Sequence, residues 1–194
     1  MSFPPPRVLS VNRSVAVRRQ IEGKWVLTGI GKQPVTGPVA VRPLGLEGDE
    51  QADQTVHGGL AKAVYAYPRE HAAFWQKVRG QAGVAAFDAE VPFGLFGENL
   101  TIEGLTEERL WIGDRLRLPG CVLAVSEPRH PCFKFNAAMG FAQASRLMIQ
   151  SGWCGAYLGV IEPGSVGAGD AIALEPGPRE VNLRDLFLAR TGGG

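Results

Sequence analysis

Short β-branched apolar runs, each closed off within a few residues by glycine or proline, recur along this chain. Residues 8–11, 25–30, 39–41, 63–67, 100–102, 121–125, 157–161 and 171–174 each read as a strand. The 26 glycines and 14 prolines make up about a fifth of the 194 residues, against a usual share of roughly 12%. They punctuate the apolar runs instead of clustering in one tract, so they mark turns, not disorder. Strands this short and numerous must cover their apolar faces and their edges, which points to a barrel or a sandwich. Arg115-Leu116-Arg117-Leu118 alternates polar and apolar, meets Pro119-Gly120 and continues into 121–125, a hairpin with one face of its first strand in water.

Two helices interrupt the strands. Pro68 suits a first helical position, where its missing N–H has no partner, and His71, Phe74, Trp75 and Val78 then share a face. The second helix is expected over about 136–150, with Ala137, Phe141, Ala144 and Met148 aligned and Gly152 ending it. After the breaker Pro176-Gly177-Pro178, Asn182 caps a short helix within 179–190 that carries Leu183, Leu186 and Phe187, with Asp185 near its positive end. The chain is therefore expected to form one β-rich domain over 7–178, a C-terminal helix over 179–190 and a disordered tail over 191–194.

Charge and composition exclude several classes. A net charge of +1 without a basic run argues against a nucleic-acid polymer as partner, and no stretch approaches the ~20 apolar residues of a membrane span. Three cysteines, Cys121, Cys132 and Cys154, cannot build a disulfide framework. With no basic and apolar leader in view, reduced thiols in a cytoplasm are expected. A cytoplasmic enzyme acting on a small molecule fits best.

Cys132 is the leading candidate for chemistry. Pro128 and Pro131 hold the segment around it extended, and Arg129, His130 and Lys134 surround it with positive charge, which favours thiolate. The competing reading is an inert, packed thiol, which also suits Cys121 and Cys154. A second constellation runs from Gly48-Asp49 through Ala52-Asp53 to His57-Gly58-Gly59. Paired glycines can form an anion-binding nest, with Asp49, Asp53 and His57 orienting a ligand or a proton, although taken in isolation the segment reads better as a turn with solvated carboxylates. The third is Gly97-Glu98-Asn99-Leu100, where Asn99 carries the donors and acceptor to read a heterocycle edge or simply forms a turn. Gly29-Ile30-Gly31-Lys32 is too short for a phosphate-binding fingerprint, and no nucleotide-cofactor motif is present.

Taken in order and spacing, these three segments resemble the MOSC family, named after the C-terminal part of molybdenum-cofactor sulfurases, and within it the bacterial YiiM-type branch. Gly23-Lys24-Trp25, residues 28–36 and Ser151-Gly152-Trp153-Cys154-Gly155 strengthen the resemblance, which covers roughly residues 7–180. It implies a mainly-β, MOSC-type β-barrel with peripheral helices, and a pyranopterin molybdenum cofactor. Cys132 would be the metal ligand, a soft thiolate on a rigid segment. It implies reduction of N-hydroxylated compounds such as 6-hydroxylaminopurine to amines, a detoxification of base analogues. Arg129 and Lys24 would supply positive charge, and Asp49, Asp53, His57, Gly58, Gly59 and Asn99 would hold the cofactor. His57 and Glu98 would also relay the proton that N–O cleavage needs. An external electron-donor protein is implied, because no flavin, haem or iron–sulfur motif appears, and an oligomer is compatible with this picture. Two alternatives share the fold: a sulfur carrier or transferase using a Cys132 persulfide, and a non-catalytic molybdenum-cofactor-binding module. Members of the branch usually continue into three C-terminal helices, and only one fits here.

Overall fold

The computed structural model describes residues 4–52 and 58–192. Its first half contains the strands β1 (Arg7–Arg13), β2 (Val17–Ile21), β3 (Lys24–Thr28), β4 (Gln33–Pro34), β5 (Val39–Arg42), β6 (Gly45–Leu46) and β7 (Val64–Pro68), then helix α1 (Ala72–Gln81). Strands β8 (Leu100–Glu103), β9 (Arg115–Arg117) and β10 (Val122–Pro128) follow. Helices α2 (Phe133–Met139) and α3 (Ala144–Ser151) lead to β11 (Ala156–Glu162), β12 (Gly164–Val166), β13 (Ala173–Glu175) and helix α4 (Leu183–Thr191).

Eight strands form one sheet in the order β13-β9-β10-β11-β7-β8-β1-β4. All its pairings are antiparallel except β7 with β8. The sheet curls until the segment before β13 meets β1: Arg7 bridges Ala171, the Val8 N–H donates to the Asp170 carbonyl (2.9 Å), and the Gly169 N–H donates to the Val8 carbonyl (2.8 Å). The expected barrel is thus a sheet closed at one short seam, not by a continuous ladder. Strands β12, β5 and β6 form a second small sheet, and β2 with β3 a free-standing ribbon. At the ribbon's tip Glu22 and Gly23 both take positive φ (51° and 77°), the paired left-handed turn that matches strand twist.

Val8, Val11, Leu100, Ile102, Leu116, Leu123, Val125 and Leu158 fill the inside of the curled sheet. The 115–118 hairpin forms as expected, with Leu116 buried between exposed Arg115 and Arg117. A second, aromatic cluster around Tyr65, Tyr67, Trp75, Phe96, Phe135 and Phe187 lies between the sheet and the helices. Trp75 is fully buried because its indole N–H finds the Tyr67 hydroxyl at 2.7 Å.

Three local expectations need correction. Pro68 ends β7 and precedes a single 3₁₀ turn, so α1 starts only at Ala72. The helix expected over 136–150 is two helices, because Gly140 adopts φ 85° and ends α2 with a left-handed cap. At the C-terminus Asn182 caps α4 as expected, its Oδ1 accepting from the Arg184 (3.0 Å) and Asp185 (3.3 Å) N–H groups. Thr191 and Gly192, placed in a disordered tail by sequence, are the helix's last residue and its cap. Among the described residues no helix is long and apolar enough to cross a membrane.

Candidate functional site

Strand β10 ends at Pro128, and residues 129–132 run on extended before α2. Cys132, at φ −124° and ψ 173°, is the N-cap residue of α2, its carbonyl accepting the Phe135 N–H at 2.8 Å. Arg129 and Cys132 both line a cavity of about 100 Å³, while the His130 ring packs 5.4 Å from Phe187 on α4. The volume is several times the roughly 10–15 Å³ one water needs, so the opening admits more than a single solvent molecule. Its other walls come from β7 (Tyr65), β11 (Tyr157), the Asp49 loop, the Phe96–Gly97 turn and residues 28–32.

The cavity is cationic. Arg129 is buried, with its guanidinium 4.9 Å from the Phe135 ring centre and 5.4 Å from that of Tyr65. Burial pulls its pKa down, but Tyr65, Tyr157 and Cys132 outweigh burial and leave it raised. Lys62 approaches Glu127 (3.8 Å) and lies over the Tyr157 ring (5.7 Å), and the Lys134 ammonium donates to the Leu27 carbonyl at 3.0 Å. Lys32 is the fourth cation, its side chain only 7% exposed and paired with Asp49.

That pair organises a buried polar chain. The Asp49 carboxylate accepts from Lys32 Nζ, from the Ser14 N–H (2.9 Å) and from Asn99 Nδ2 (2.9 Å). Asn99 also donates to the Asn12 carbonyl (3.4 Å) and accepts the Tyr65 N–H (3.0 Å). Asp49 and Asn99 border the cavity, but their hydrogen-bonding groups tie together β1, β7 and residues 28–32. They hold the site's frame from the cavity wall.

Glu98 does not line the cavity. It is 1% exposed and turned away from the cavity, accepting from the Gly94 N–H (2.7 Å), the Phe96 N–H (3.0 Å) and the Thr101 hydroxyl (2.8 Å). Burial raises its pKa in spite of these donors. A carboxyl enclosed in this way fixes the turn that carries Phe96 into the cavity wall.

Lys24 is exposed on β3 near the ribbon's tip, four residues or roughly 13 Å along the strand from Thr28 at the cavity. It does not reach the site. Gly58 and Gly59 are described but do not line the cavity, and Gly59 (φ 85°, ψ 179°) lacks the turn geometry of a nest. Asp53 and His57 lie outside the described residues. Cys154 is fully buried, its thiol pushed well up by burial and then by Glu107. Burial, aided by Asp170, raises Cys121 to about 11. Both are structural thiols.

Sequence reasoning passed over Lys32, Lys62, Tyr65 and Tyr157. The alternation of the 63–67 and 157–161 strands would have placed both tyrosines on one face; the lysines carry no local signal. Among the described residues no three His, Cys, Asp or Glu side chains cluster to hold a metal. The cavity thus offers one thiol, four cations and aromatic walls, suited to an anionic organic ligand.

The comparisons agree with this geometry. The family model described as MOSC domain matches residues 53–173. The chain is 39% identical over 167 residues to YflK of Bacillus subtilis, covering 86% of this chain and 72% of that protein. It is 37% identical over 159 residues to YiiM of Escherichia coli, covering 81% and 68%. A protein of Gibberella moniliformis named "Reductase" is 34% identical over 192 residues, 96% of this chain and 33% of its own length. The crystal structure of YiiM from Geobacillus stearothermophilus superposes with a TM-score of 0.77 at 29% identity, covering 96% of this chain and 84% of that one. With the fold, the three motif segments and the sequence matches in agreement, the chain belongs to the MOSC domain family.

Proposed function

We propose that the cavity binds a molybdenum cofactor and that the protein is an oxidoreductase reducing N-hydroxylated compounds, such as 6-hydroxylaminopurine, to amines. The observation carrying this reading is the half-buried Cys132 thiol on the wall of a cavity shared with Arg129, Lys32, Lys62 and Lys134. A relative named as a reductase supports the reaction class. The residues fit the group: the buried Arg129 guanidinium makes no ion pair with a described carboxylate, leaving positive charge for a phosphate.

The overall change is R–NHOH plus two electrons and two protons to R–NH₂ plus water. When bound, the cofactor supplies the two-electron step. Cys132 anchors it through sulfur, and the short run from Pro128 holds that sulfur with little freedom. Arg129 and Lys62 neutralise the anionic part, while the Tyr65 and Tyr157 rings, tilted 48° to each other, give the substrate an aromatic wall. Burial raises the pKa of the Tyr157 hydroxyl above its ordinary value, and the Arg129 guanidinium beside it opposes that shift. His57 remains the proposed proton relay.

The test is protein purified from a host that makes the cofactor, assayed with a chemical reductant. Molybdenum near one per chain and conversion of 6-hydroxylaminopurine to adenine, both lost in Cys132→Ala, are expected. Equal turnover by that variant would sink the role of Cys132. Cyanide-releasable sulfur without metal would favour a persulfide carrier instead, and bound cofactor without turnover a non-catalytic module.

A further inference from the structure

Strand β10 pairs with β11 in a register that shifts between Val125 and Glu127. Breaks of this kind re-aim side chains and recur beside functional sites. Beyond the break Glu127 stands opposite Tyr157, one wall of the cavity. At the break the Ser126 hydroxyl meets the Tyr157 carbonyl (2.9 Å) and the Ala61 carbonyl, which ties the Leu60–Lys62 turn to both strands. That tie sets Lys62, a cavity residue, beside the Glu127 carboxylate.

One oxygen of this carboxylate serves two cations. Glu127 Oε2 lies 3.8 Å from Lys62 Nζ and 4.0 Å from Nη1 of Arg190, in the last turn of α4. The Glu127 and Lys62 side chains are 25% and 26% exposed, so water screens their attraction only in part. A single negative charge cannot fully compensate two positive ones, so what Arg190 takes Lys62 loses. The helix that carries Arg190 is firmly docked. Asn182 Nδ2 donates to the Glu108 and Leu110 carbonyls (both 3.1 Å), Arg184 donates to the Ser151 carbonyl (3.1 Å), and Phe187 packs against His130. Its charge is therefore held in a fixed place behind the thiol segment.

We propose that Glu127 is the cavity's internal counter-ion. It draws the Lys62 ammonium away from an incoming phosphate group, and Arg190 weakens that hold by competing for the same oxygen. The charge on α4 thereby sets how readily the cavity accepts an anion, although neither Glu127 nor Arg190 lines it. Both are positioning residues that act through Lys62. The inference deepens the cofactor reading and rests on it, since the phosphate is the group that Arg129 and Lys62 neutralise.

The probe is inorganic phosphate, titrated into the full chain from a host that does not make the cofactor and followed by phosphorus NMR. Glu127→Gln, which keeps the side chain's shape, is expected to tighten binding about threefold, and Arg190→Gln to weaken it about twofold, the range of a partly exposed ion pair. Lys62→Gln is expected to weaken binding about fivefold or more. In the Lys62→Gln background the other two substitutions are expected to change affinity by less than about 1.5-fold, because the cation they act through is gone. A diffuse effect of charge would persist in that background, and its persistence overturns the proposal. So does a Glu127→Gln protein that binds phosphate no more tightly than wild type. Wild type that binds no phosphate overturns the counter-ion and the anion-binding cavity together. The expected pattern in a chain that takes up no molybdenum from a cofactor-making host upholds the counter-ion and sinks the cofactor reading instead.

Discussion

Removing the Asp49 carboxylate tests whether this residue frames the site or reads a ligand. In Asp49→Ala the Lys32 ammonium loses its ion-pair partner, and the Ser14 N–H and one Asn99 amide proton lose their acceptor. Breaking a buried pair by deleting one member costs about 3–5 kcal/mol, because the other charge stays in place uncompensated. Lys32 lines the cavity and water can reach it, so the lower end, about 3 kcal/mol, is expected. For a domain of this size 1 kcal/mol moves the melting temperature by about 2–4 °C, which predicts a fall of about 6–12 °C. Adding Lys32→Met removes the stranded charge, and the double variant is expected to regain part of the loss, a coupling a thermodynamic cycle reads directly. Thermal unfolding by circular dichroism, with urea midpoints at unchanged slope, measures both. A single variant melting within 2 °C of wild type, or a double variant no better than the single, would refute the frame and return Asp49 to the ligand.

Three further outcomes follow from the buried groups. Burial holds the Glu98 carboxyl above its ordinary value, so the folded state binds that proton more tightly than the unfolded one. Its contribution to stability is therefore greatest when protonated and declines as pH rises from the usual carboxylate range through the raised value. Glu98→Gln should flatten that stretch of the melting-temperature profile, and an unaltered slope would count against the assignment. Gly94→Ala forces a side chain onto φ 80° with its Cβ 2.2 Å from the Lys32 carbonyl oxygen; a loss of about 2 kcal/mol or more is expected in urea unfolding, and undiminished stability would disprove it. Native protein should show one fast-reacting thiol, Cys132, by mass spectrometry after brief alkylation, with Cys121 and Cys154 labelled only on unfolding; fast labelling of either would contradict their burial.

Apart from β4, the strands of the closed sheet were legible because their apolar runs are bounded by turn residues. The pieces missed, β2, β4, β6 and β12, are short or polar: β2 reads Val17-Arg18-Arg19-Gln20-Ile21, four of its five residues exposed, and its strand character comes from pairing with β3. Gly140 was visible inside the long helical pattern, but whether such a glycine bends or breaks a helix depends on what packs around it, here Val84 at 3.2 Å from a would-be Cβ. Cys132 and Arg129 were legible as a site because stiff, charged sequence is local. Lys32 and Lys62 were not, since only the curl of the sheet carries them to the thiol. Asp49, Glu98 and Asn99 were found as polar residues in loops, but the hydrogen bonds that bind them into the frame were not visible. A sequence shows that a polar group exists; how fully its neighbours satisfy it depends on the tertiary contacts.

The seam of the sheet has a consequence for biosynthesis. Val8 is bonded to Gly169 and Asp170, so one side of β1 waits for a partner made at the far end of the described chain. At about 5–20 residues per second that wait is on the order of ten seconds on the ribosome. Through it, β1 presents an open edge to any passing strand, and substitutions that slow translation or loosen the 169–172 segment should appear first as lost soluble yield, before the finished protein shows any change in stability.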